Sequence, residues 1–86
     1  MALTLAYFAG VREVMGVDGE VLAALPEGVV TIADLVDWLA RRDARGAAAF
    51  ANQRLIRAAR DDVMASLDTA IGAAREVALF PPVTGG

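Results

Sequence analysis

Ile32, Leu35, Val36 and Leu39 recur at i, i+3, i+4 and i+7, so a helix over residues 31–42 carries one continuous apolar stripe. Thr31 is placed to cap its first turn, and Asp34 three residues on completes a capping box with Asp in place of Glu. Arg41 and Arg42 stand at the negative end of the helix dipole. Trp38 lies beside the stripe and reads as a half-buried residue at the edge of the core. This is the clearest helix in the chain, and a helix with one apolar face has to bury it. The segments around it alternate as strands do, so the consistent solution is a two-layer α+β domain with the helix laid across a sheet.

Residues 2–9 place Leu3, Leu5 and Tyr7 on one strand face and Thr4, Ala6 and Phe8 on the other. Residues 11–16 read as a short helical turn closed by Gly16. Residues 19–25 form a second strand, stopped by Pro26-Glu27-Gly28. After the main helix come an alanine-rich stretch of a turn or two of helix (44–52), a strand (55–60) and a turn at Asp61-Asp62. A short return strand (63–65), a loop containing Gly72 (66–74) and a last strand (76–80) complete the order. If the first and last strands lie side by side and parallel at the centre of the sheet, Leu3, Leu5, Val77 and Leu79 face the helix. Phe8 and Phe80 then emerge together on the opposite face. Two placements stay open for these rings: an exposed aromatic patch suited to a partner, or burial under a loop.

Composition narrows the chemistry. At 86 residues and 57% hydrophobic, the chain suits one small domain with a packed core. Its apolar runs are too short to span a bilayer, and Met1-Ala2-Leu3-Thr4 has no basic lead into an apolar stretch. The expectation is a soluble, cytoplasmic protein without membrane partners. There is no Cys and no His, and all 8 basic residues are Arg. Histidine base catalysis, cysteine nucleophiles, lysine Schiff bases and Cys/His metal sites are thereby excluded. The carboxylates are scattered, with no calcium-loop spacing, and Ser66 has neither a glycine elbow nor a histidine partner. The net charge of −3 argues against nucleic acid as a ligand. Neither catalysis by this chain alone nor a bound metal or cofactor is expected.

What remains is the ending, Phe80-Pro81-Pro82-Val83-Thr84-Gly85-Gly86. The prolines hold the segment extended and out of helix, and two glycines can enter a slot too narrow for other residues. The division expected is a domain over 1–80 and an extended, flexible tail over 81–86; the tail either presents its terminal carboxylate as a reactive group or is a frayed terminus without a role, on an interaction domain.

That ending, with Tyr7-Phe8-Ala9-Gly10-Val11-Arg12-Glu13 near the start, resembles the small subunits of molybdopterin synthase, the MoaD family. The resemblance spans the chain and is strongest at both ends. In the middle, Ala73-Ala74-Arg75-Glu76-Val77 stands where the family commonly has Asp-Gly-Asp-Glu-Val. The resemblance implies a ubiquitin-like β-grasp, a mixed sheet of about five strands packed on one main helix. It implies a sulfur carrier whose active site belongs to another subunit. A ubiquitin-activating-like adenylyltransferase, using ATP and Mg²⁺, adenylates the terminal carboxylate; a sulfur donor protein converts it to a thiocarboxylate. The carrier then docks on the large synthase subunit, in a heterotetramer of two small and two large subunits, and passes sulfur to cyclic pyranopterin monophosphate. By matching position, Gly86 bears the thiocarboxylate, Gly85 gives access, and Phe8, Phe80, Pro81, Pro82, Val83 and Thr84 contact the partner. Arg12 matches an arginine of the opening motif and is either a partner contact or a solvated surface charge. The same terminal chemistry suits a carrier for thiamin thiazole or cysteine synthesis, or a modifier forming isopeptide bonds; the Phe-Pro-Pro run favours the synthase.

Overall fold

The computed structural model describes residues 2–82, and the elements run β1 (Leu3–Tyr7), α1 (Ala9–Met15), β2 (Gly19–Leu22), α2 (Ile32–Arg42), α3 (Ala44–Ala49), a 3-10 turn (Gln53–Leu55), β3 (Arg57–Arg60), β4 (Val63–Ala65) and β5 (Glu76–Phe80). Residues Val83, Thr84, Gly85 and Gly86, and with them most of the tail expected above, lie outside the described residues.

The apolar stripe of α2 decides the layering. Ile32, Leu35, Val36 and Leu39 are all fully buried, and the helix begins in the expected capping box. The Asp34 N–H donates to Thr31 Oγ1 at 3.1 Å, and Asp34 Oδ2 accepts from the Thr31 and Val30 N–H groups at 3.0 Å. Those donors hold the Asp34 carboxyl below its usual range. The segment read as plain loop, 66–74, does more than connect. Its Thr69 and Leu67 carbonyls accept from the Ile32 and Ala33 N–H groups at 3.0 and 2.8 Å, and Ile71 is buried against the core. The first three N–H groups of α2 are thus all paired, as buried helix ends require.

Beneath the helix lies a five-stranded sheet of order β2-β1-β5-β3-β4. Its centre is the parallel pair β1/β5, with Leu5 opposite Val77 and Tyr7 opposite Leu79; the remaining pairings are antiparallel. Leu3, Leu5, Tyr7, Ala58, Val77 and Leu79 point to the helices and are buried. The parallel pairing assumed from architecture is therefore observed, and the molecule is a ubiquitin-like β-grasp.

Three strands are shorter than expected: β1 covers Leu3–Tyr7 and not 2–9, because α1 already begins at Ala9, and the other two are cut short by their partners. β2 stops at Leu22 and not Leu25, because its partner β1 begins at Leu3, opposite Leu22. β3 starts at Arg57, opposite Phe80, where β5 ends; Leu55 belongs instead to a 3-10 turn capped by Asn52 and is exposed. A strand cannot outrun the strand that hydrogen-bonds it. At the entry to β5, where the family glycine is replaced, Gly72 takes a positive φ of 54° and the Asp61 carboxylate accepts from the Arg75 and Glu76 N–H groups at 2.9 and 3.0 Å.

Arg42 does more than meet the helix dipole. It forks onto Glu20 of β2 at 2.6 and 2.9 Å, its guanidinium lies 5.2 Å from the centre of the half-buried Trp38 ring, and Glu20 also accepts from the buried Tyr7 hydroxyl at 2.6 Å. The Arg42 donors hold the Glu20 carboxyl below its ordinary value. Stability from this pair is therefore present above the unfolded carboxyl value of about 4.3 and lost as pH falls through the lower folded value. Glu20→Gln is expected to lower the melting temperature at pH 7 and to shrink its further fall on acidification to pH 3. Thermal melts of both proteins at the two pH values check this.

Candidate functional site

Because β1 and β5 are parallel neighbours, their C-terminal ends lie together. Alternation turns Tyr7 and Leu79 into the core and Phe8 and Phe80 outward. Phe8 follows β1 directly and is 50% exposed; Phe80 closes β5 and is partly exposed. With Ala9, Ala59, Ala78, Pro81 and Pro82 they line an open groove of about 620 Å³, which ends at Asp62 and Glu76. Neither phenylalanine is tucked out of reach under a loop: Phe8 is half exposed and Phe80 partly so.

Small side chains make it a groove and not a ridge. Ala78 pairs with Ala6 on one side and Ala59 on the other, so the outer face of the sheet has a low alanine floor beside two aromatic walls. The sequence reading found the walls but missed the floor. The signal was there, in outward strand positions that repeatedly hold alanine, but its meaning depends on strand register.

Phe8 is held at both ends of its backbone. Its N–H donates to the Leu79 carbonyl at 3.2 Å, and its carbonyl accepts from the Val11 and Arg12 N–H groups at 3.1 and 3.3 Å. The chain turns from strand to helix at Ala9, which sits at a φ of +50°, unusual for a residue with a Cβ. Arg12 is exposed on α1 one turn beyond Phe8, but does not line the groove. The structure thus assembles Phe8, Phe80, Pro81 and Pro82 and leaves Arg12 to one side, while Val83, Thr84, Gly85 and Gly86 lie outside the described residues.

Covering the part of the two rings still exposed to water contributes roughly 1–2.5 kcal/mol before association costs. Among the described residues, no group of three or more Asp, Glu, Cys or His side chains comes together as a metal site, and no helix is long and apolar enough to cross a membrane.

This geometry defines a ubiquitin-like β-grasp protein with an apolar groove beside Pro81 and Pro82 at the end of β5. The chain belongs to the ThiS family, which matches it over residues 5–86, through to the last glycine. It is 40% identical over 81 residues to the molybdopterin synthase sulfur carrier subunit of Escherichia coli, covering 93% of this chain and 94% of that one. Among solved structures it resembles SAMP1 from Haloferax volcanii, small archaeal modifier protein 1, at 29% identity and a TM-score of 0.66 over the whole of both chains. It also resembles a Pyrococcus furiosus protein assigned as molybdopterin converting factor subunit 1, at 26% identity and a TM-score of 0.71, covering 96% of this chain and 99% of that one.

Proposed function

We propose that this chain is the sulfur carrier subunit of a molybdopterin synthase, with residues 1–80 as the docking domain and 81–86 as the segment delivered into the partner. The observation that carries the reading is 40% identity, along nearly the full length of both chains, to a molybdopterin synthase sulfur carrier subunit. The terminal Gly85-Gly86 and the Phe8–Phe80 groove beside Pro81 and Pro82 supply the chemistry and the contact surface that such a role needs.

The chemistry starts at the Gly86 carboxylate, a poor electrophile because its charge repels nucleophiles and its oxygen leaves badly. A carboxylate oxygen attacks the α-phosphorus of ATP on the Mg²⁺-dependent adenylyltransferase, and pyrophosphate departs. Sulfide-level sulfur held by a donor protein then attacks the carbonyl, and AMP departs, leaving the thiocarboxylate. The resulting thiocarboxylate is a nucleophile that no side chain of this Cys-free sequence offers. Docked through the groove on the large subunit, in an assembly of two small and two large subunits, the carrier places that sulfur against cyclic pyranopterin monophosphate. The carrier holds no cofactor of its own and works in the cytoplasm.

Reconstitution tests the reading. Mixed with ATP, Mg²⁺, the adenylyltransferase and the sulfur donor of its own organism, the chain should gain the mass of one sulfur-for-oxygen exchange. Addition of the large subunit and cyclic pyranopterin monophosphate should then yield molybdopterin. A thiocarboxylate that forms but is never consumed there would move the assignment to a carrier for thiamin thiazole or cysteine synthesis. Phe80→Ala is expected to weaken docking on the large subunit by about 1–3 kcal/mol, roughly 5- to 150-fold, as hot-spot truncations do. Calorimetric titration measures it, and wild-type affinity would remove the groove from the interface.

The likeness to small archaeal modifier protein 1 favours a second reading, a modifier attached through Gly86 to amines of other proteins. Mass spectrometry of denatured lysates separates the two, since an abundant ladder of covalent adducts would make conjugation the main role.

A further inference from the structure

A second apolar groove, of about 230 Å³, lies on the helix side of the tail root between α1 and the 3-10 turn, lined by Val14, Ala48, Asn52, Leu55 and Pro81. Leu55 and Val14 are 57% and 44% exposed, although both are large and apolar. Pro81 belongs to both grooves, so apolar surface flanks the start of the tail on the sheet side and on the helix side. On the carrier reading the reacting carbonyl is that of Gly86, four residues beyond Pro82. Fully extended, four residues reach roughly 14 Å.

That reach limits what an acceptor can do. Enzyme sites are recessed, and any depth of cleft is subtracted from the reach. To act on Gly86, the enzyme has to bring the mouth of its cleft down onto the tail root. A mouth enclosing the segment meets it from every side, and the surface it meets on the helix side is the Val14–Leu55 groove. We infer that this groove is a second docking surface, occupied by an apolar lip of the large synthase subunit while the Phe8–Phe80 groove holds the opposite lip. The inference rests on the carrier reading above and adds to it a contact surface formed by α1 and the 3-10 turn.

Charge introduced at exposed positions tests it with little risk to the fold. Leu55→Glu and, independently, Val14→Glu are titrated calorimetrically against the large synthase subunit of the same organism, with melting temperatures recorded. Val63→Glu is the control: Val63 is 68% exposed and sits on β4, opposite Arg60, which faces Val77 at the far end of β5 from the tail. The expected result is at least about tenfold weaker binding for the Leu55 and Val14 variants, with the Val63 variant within about twofold of wild type. Binding within twofold of wild type by a folded Leu55→Glu or Val14→Glu protein overturns the inference and leaves the carrier reading standing. A wild-type chain that does not bind the large subunit at all overturns both.

Discussion

Deletion of Gly86 is expected to abolish sulfur transfer without moving the melting temperature. The shortened chain still ends in a glycine carboxylate, so the loss reports position and not chemistry. Removing one residue withdraws the reacting carbonyl by about 3.5 Å, and a misplacement of about 1 Å already costs on the order of a hundredfold. The combined effect should be a thousandfold or more, the scale seen when a reacting group is removed. Stability is a separate matter, because the core of this protein is formed between Leu3 and Leu79. Adding one residue after Gly86 should be as damaging by another route, since it turns the carboxylate that must be adenylated into an amide. Intact-mass detection of the thiocarboxylate, alongside thermal melts, checks both variants. A shortened or lengthened chain that is still sulfurated and still supports synthesis would sink the carrier mechanism.

Gly46→Ala should destabilise the protein strongly, although it adds a single methyl group. Gly46 sits in the first turn of α3, its N–H bonded to Asp43 Oδ1 at 2.8 Å, packed against the last turn of α2. A Cβ there would overlap the Leu39 carbonyl oxygen and lie 2.8 Å from its carbon. Both are main-chain atoms, so no rotamer change relieves the contact. Either α3 moves off or α2 shifts, and α2 carries the stripe that fills the core. Overpacking of this kind costs about 3 kcal/mol or more, and in a domain of this size that lowers the melting temperature by roughly 12–24 °C. Gly10→Ala supplies the contrast. A Cβ there meets nothing within 4 Å, and a glycine inside a helix is unfavourable by about 0.5–1 kcal/mol relative to alanine, so that variant should melt at or above wild type. Differential scanning calorimetry of the pair decides between a steric account of Gly46 and a general intolerance of α1 and α3 to change.

Gly46 also shows where reading the residues alone runs out. The stripe of α2, its capping box and the inward and outward sets of β1 and β5 were legible because each follows from local period and from side chains within a turn of one another. The Phe8–Phe80 pair was legible once the parallel pairing was assumed. The ends of β2 and β3 were not, because a strand ends where its partner does, and register is a property of two segments. The alanine floor, the anchoring of Thr69 and Leu67 to α2, and the close approach at Gly46 likewise depend on which segments meet. Tyr7 reads from the sequence only as sharing a strand face with Leu3 and Leu5; its hydroxyl, joined to Glu20 and through it to Arg42, ties β1, β2 and α2 together in a way no single segment announces.

The pairing of β1 with β5 has a consequence for how the molecule is made. The two middle strands of the sheet are separated by residues 8–75, so β1 leaves the ribosome long before its neighbour exists. Its central edge stays open until β5 is released. A translation product cut short ahead of Glu76 lacks the β1–β5 pairing and the Ala78 and Phe80 side of the groove. The groove is complete only once synthesis has passed Pro82.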